Sequence, residues 1–197
     1  AFDKLLTLGE KAAVWHGHAN RARVLIELGR LAEAAKAVDA SGSADPPAPW
    51  WLRAWLSGLV SAQNAASAAD LDTAAEQFAK IVDPANRPRD KDGKVTHDFT
   101  RDYVVLGALG QTLFKRSLTE ADGSPGQQAV LAKAIDAFER ALAVDPEDLP
   151  SHYGLSQCYA KLAGDVGEVA DEPAAGTVET VRELTTAITA MAIMVQS

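Results

Sequence analysis

The sequence predicts an all-α protein, an α-solenoid of antiparallel helix pairs with irregular insertions and an extra helix at the C-terminal end. Three observations predict it. Apolar residues recur at helical spacing along most of the 197 residues, while no run shows the alternation of β-branched residues that marks a half-buried strand. Gly and Pro fall between the periodic stretches, where chain reversals are expected. The stretches also resemble one another in pairs, the signature of a repeat array.

The elements follow in order. AFDKLLTLG at 1–9 reads as the second helix of a pair, over 1–8. VLIELGRLAEAAKAV at 24–38 reads as a helix end, a turn at Gly29 and a second helix, giving helices over 12–28 and 31–41. Pro46, Pro47 and Pro49 precede a helix over 48–67, and Pro49 suits its first turn. LDTAAEQFAKIVDP predicts a helix over 71–83. Residues 84–98 are polar and Pro-bearing, hence an exposed loop, with Asp92-Gly93 suited to a tight hairpin turn. In 99–120, Leu106, Leu109, Gly110 and Leu113 form one stripe. Residues 117–128 lengthen the turn before a helix over 127–144, whose Ala134, Ile135, Phe138, Ala141 and Leu142 share a face until Pro146 stops it. In the helix over 149–163, Leu155, Cys158, Tyr159 and Leu162 share a face, and Gly164 suits a C-terminal cap. Residues 164–177 read as a linker. In 178–197, Val178, Val181, Leu184, Ile188, Met191 and Val195 recur at helical spacing, an amphipathic helix that caps the array or docks on another subunit.

These patterns resemble the tetratricopeptide repeat family, most strongly over 99–163 and fairly over 12–41 within an array of 1–163. Ala134, Phe138, Ala141 and Pro146 fit a second helix of that family; His152, Leu155, Ser156 and Tyr159 fit the next first helix; His18, Ala22 and Leu25 lead into Gly29, Ala34 and Val38. Residues 48–83 show no clear Leu-Gly signature, and 164–197 depart from the pattern. Small residues in such repeats let helix backbones approach, and large ones fill the gap between pairs. The resemblance implies a concave face lined by first helices, near which His16, Arg23, Gln111, Phe114, Lys115, Tyr153 and Gln157 would lie. It implies a non-catalytic scaffold that binds or positions a partner protein. A finer resemblance, over 98–165, is to repeat regions found beside periplasmic multihaem cytochromes. That implies a haem-protein partner in an extracytoplasmic redox complex and a periplasmic setting. The alternatives are a cytoplasmic peptide-binding adaptor and a structural spacer.

Composition excludes other classes. The net charge of -8 and the lack of a dense Lys/Arg cluster argue against a nucleic-acid binder. The apolar run at 188–195 is too short to span a bilayer. Residues 1–30 show no signal-peptide pattern, and a start at Ala1 suggests numbering inside a longer or processed chain. The single cysteine, Cys158, allows no internal disulfide, and without CxxCH the chain cannot attach c-type haem. Cys158 sits on an apolar stripe, so a buried, inert thiol is expected.

His16 and His18 lie two apart on a helix and point to different sides, so they make a poor metal pair. His97 and His152 read as solvated or packing residues. Asp90, Asp92 and Gly93 hint at a calcium loop, but Pro88 and Phe99 stand at its first and last ligand positions without an oxygen-bearing side chain. No nucleophile elbow or P-loop appears. We therefore expect no catalytic residue, metal or cofactor. Trp50, Trp51 and Trp55 are expected to pack mainly between helix pairs, with any exposed member a candidate partner anchor.

Overall fold

Several helix boundaries have an identifiable local cause. The computed structural model of the chain describes residues 11–169, with side chains over 14–164. The helices expected over 1–8 and 178–197 lie outside the described residues. Within them the fold is all-α: α1 (Lys11–Glu27), α2 (Leu31–Ser43), α3 (Trp50–Asn64), α4 (Ala68–Val82), α5 (Tyr103–Ser117), α6 (Pro125–Leu142) and α7 (Leu149–Val169), with a 3-10 turn at Pro84–Asn86. The chain divides into two compact units, residues 1–105 and 106–197.

In the first unit, α1 ends in a Schellman turn. Gly29 adopts φ +69, its amide donates to the Ile26 carbonyl, and the Arg30 amide donates to the Leu25 carbonyl at 2.8 Å. The chain re-enters a helix at once, so α2 folds back on α1. Ala19, Ala22, Leu25, Ile26, Ala34, Ala37 and Val38 form the buried seam together with Leu56 of α3. α4 starts three residues earlier than the apolar spacing predicts, because Ser67 and Asp70 form a reciprocal capping box. α3 and α4 pack on each other. The ring of Phe78, 1% exposed, lies against Gly58, where a β-carbon would come within 2.5 Å of Cε1.

Residues 83–102 form a loop. Its expected hairpin reduces to one antiparallel bridge, Arg89 to Val95, closed by Gly93 at φ +80 and by Asp90 Oδ1, which accepts the Asp92 and Lys94 amides at 2.9 Å each. The Asp side chain thus meets donors that a longer ladder would otherwise pair.

α5 begins at Tyr103, not near residue 99. Asp102 Oδ1 accepts the Val104 and Val105 amides at 3.1 Å each, so the helix nucleates at this carboxylate. In the second unit, α6 begins where Ser124 Oγ accepts the Gln127 amide and Pro125 occupies the first turn. Leu131, Ala134, Phe138, Phe114 and Cys158 form the core. Phe138 is wedged between two glycines: a β-carbon on Gly110 would come within 2.7 Å of its ring, and one on Gly154 closer still. A β-carbon at Gly107 would meet Ser151 Oγ at 3.4 Å. Gly107 thus faces Ser151, while Gly110 and Gly154 share one ring. α7 passes through Gly164 and continues to Val169. The expected stop at Gly164 is therefore corrected: nothing crowds that position, and Pro comes only at Pro173.

Candidate partner-binding face

The candidate residues fall into different environments. In the first unit, His16 and Arg23 are exposed on α1, and the His16 ring stacks on Trp15 at 3.4 Å. Trp50, Trp51 and Trp55 are all half-buried. Trp55 packs on Phe78, with ring centroids 5.4 Å apart, and adds to the α1–α2 seam. Lys80 Nζ lies 5.6 Å from the Trp50 ring centre. Trp51 meets Phe99 at 4.9 Å and His97 at 6.0 Å. The long loop is thus clasped onto α3 by aromatic rings. Beside them, Arg87 Nε lies 3.1 Å from Asp98 Oδ1, an ion pair without hydrogen-bond alignment. Hydrogen bonds from the Thr100 hydroxyl and amide, with a smaller contribution from Arg87, hold the Asp98 carboxyl below its ordinary pKa.

In the second unit, Phe114 is buried at 8% exposure and belongs to the core. Gln111 is half-buried and Lys115 exposed, four residues apart on one face of α5. On α7, Leu149, Tyr153 and Gln157 fall at i, i+4 and i+8, hence on one face. Leu149 is 65% and Tyr153 64% exposed, large values for such apolar bodies. The Oε1 atom of Gln157 is buried without a hydrogen-bond partner. Ala160, exposed, extends the same face, which carries no charged side chain. The tetratricopeptide resemblance implied Tyr153 and Gln157 but not Leu149, which stands one turn before Tyr153.

The opposite side of α7 is held firmly. Cys158 is fully buried, and burial pushes its thiol up to about 12. Tyr159 donates to Glu139 Oε1 at 3.2 Å; burial first, then the Glu139 charge, raises its pKa. The 118–124 insertion is pinned by buried Gln127, whose Nε2 donates to the Ser117 carbonyl and to Asp122 Oδ1 at 3.2 Å each while Oε1 accepts the Gly123 amide. Lys161 pairs with Asp122 at 2.7 Å. Lys161 first, and Gln127 next, lower the Asp122 pKa.

Among the described residues no cluster of three or more His, Cys, Asp or Glu could hold a metal ion, and no helix is long and apolar enough to cross a membrane. A scan against family models, a search of curated proteins and a search of solved structures return no match to this chain.

Proposed function

We propose that the chain is a non-catalytic, tetratricopeptide-like scaffold that holds a partner protein on the uncharged face of α7. The observation that carries this reading is the exposure on that face of two large apolar side chains, Leu149 and Tyr153. A peptide lying on this face would bury both. Rigid aromatic groups on a helical platform suit such binding, because little side-chain freedom is lost.

The repeat reading is supported by a recurrence that includes the segment with the weakest sequence signature. A glycine on α3 seats Phe78 of α4, and a glycine on α5 seats Phe138 of α6; each Phe stands four residues after a buried Ala, Ala74 and Ala134. The Phe138 ring also lies against Gly154 of α7, the close approach between successive pairs that stacking requires. Gln111 and Lys115 on α5 would extend the binding surface.

The test is partner binding by Tyr153→Ala and Gln157→Ala variants with unchanged helical content by circular dichroism. Tyr153→Ala is expected to weaken binding at least tenfold. Retention of wild-type affinity in both variants would remove this face as the binding surface.

A further inference from the structure

The turn that leads into α7 carries three carboxylates within four residues, Asp145, Glu147 and Asp148, immediately before exposed Leu149. Two of them serve the backbone. Asp145 Oδ1 accepts the Glu147 amide at 3.1 Å and shapes the turn. Asp148 Oδ2 accepts the Ser151 amide at 3.0 Å and caps the helix. Glu147 is exposed, and its side chain serves neither purpose. The Lys and Arg side chains nearest in the chain on either side are engaged elsewhere: Arg140 lies 3.5 Å from Asp136, and Lys161 lies 2.7 Å from Asp122. His152 Nε2 lies 2.8 Å from the Pro146 carbonyl oxygen, which ties the turn to α7. The Leu149–Tyr153 face thus has a fixed acidic rim at its N-terminal end.

We propose that the partner segment taken up on this face is basic as well as apolar: a large apolar residue packs over Leu149 and Tyr153 while a Lys or Arg beside it meets the carboxylates of Glu147, Asp145 and Asp148. Charge complementarity selects this occupant. Glu147 stands just ahead of Leu149 in the chain, so their backbones are at most about 7 Å apart. A cation next but one to the anchor in an extended peptide, or one turn away on a helix, spans that distance. An acidic segment would meet like charge at the same rim. The two carboxylates that serve the backbone each keep a second oxygen for a cation. Because amides already hold them, little freedom is lost when a partner arrives.

The inference rests on the α7 face as the binding surface and adds the charge of what binds there. The two fail separately, because Tyr153 carries the apolar contact and Glu147 carries the charge.

The test selects peptides from a random library displayed on phage, with the full chain as bait, and titrates the selected peptides, fluorescein-labelled, against wild type and variants. Selected peptides are expected to carry Lys or Arg within one helical turn of a large apolar residue. Tyr153→Ala should weaken them at least tenfold. Glu147→Lys should weaken them about fivefold and the isosteric Glu147→Gln about twofold, both losses shrinking as salt is raised. Circular dichroism of each variant should match wild type; Glu147→Gln decides if the charge reversal alters the fold. Peptides that depend on Tyr153 but carry no cation, or that bind the Glu147 variants as tightly as wild type, would overturn the inference and leave the face standing. Peptides indifferent to Tyr153→Ala, or no selected peptide at all, would overturn both.

Discussion

At the residue scale, the most demanding packing is between Phe138 and the glycines beside it. Gly110→Ala forces a methyl into the ring, and a packed core resists such insertion at a cost of about 1–3 kcal/mol. Gly58→Ala should destabilise by a similar amount through Phe78, whose ring sits equally close. Chemical denaturation of each variant against wild type measures both. Cys158 allows a pH prediction with a definite sign. Its thiol titrates near 9.0 when free and about 12 in the fold. Between those values the unfolded chain has released a proton that the folded chain retains. Stability contributed by the neutral, buried thiol is therefore complete below pH 9 and is lost as pH rises toward 12. Cys158→Ala should show a shallower fall in melting temperature over that interval, and the wild-type thiol should react with thiol reagents only on unfolding.

At the element scale, helix ends depend on a few side chains. Ser67→Ala removes one half of the α4 capping box and should cost about 1 kcal/mol, read as a lower denaturation midpoint with an unchanged slope. The loop over 83–102 is held by Trp51, Phe99 and His97. Trp51→Ala should accelerate limited proteolysis within 87–98 severalfold while leaving cleavage elsewhere unchanged. Most of the helices were legible in the sequence because the apolar period survives in Leu106, Leu109 and Leu113, in Ala134 and Phe138, and in Leu155 and Leu162. Their ends were less legible. Asp102 and Asp70 reset the starts of α5 and α4 through side-chain hydrogen bonds that hydrophobic spacing does not encode, and Gly164 sits inside a helix because Gly permits a stop without imposing one. The pairing of Gly58 with Phe78 was hidden for a related reason: the contact depends on which faces of two helices meet, and the sequence around Gly58 is dominated by tryptophan. Among the candidate site residues, Tyr153 is exposed, whereas Phe114 lies in the core cluster with Leu131 and Phe138.

At the scale of the whole molecule, the described helices are built for packing on successors and neighbours, and α7 leaves two large apolar side chains exposed, Leu149 and Tyr153. The exposure of these two side chains supports recognition of a partner as the proposed role. The measurement that tests this most directly is isolation of the native complex from its source by gentle affinity capture, followed by cross-linking mass spectrometry and titration of the purified partner against wild type and Tyr153→Asp. The account predicts one reproducible protein partner, cross-links on the face of α7 or at Lys115 of α5, and a loss of affinity of at least tenfold in the variant with its helical content intact; a Soret band in the isolated complex would make that partner a haem protein. A partner bound with equal affinity by both proteins, or no partner at all from the native source, would contradict it.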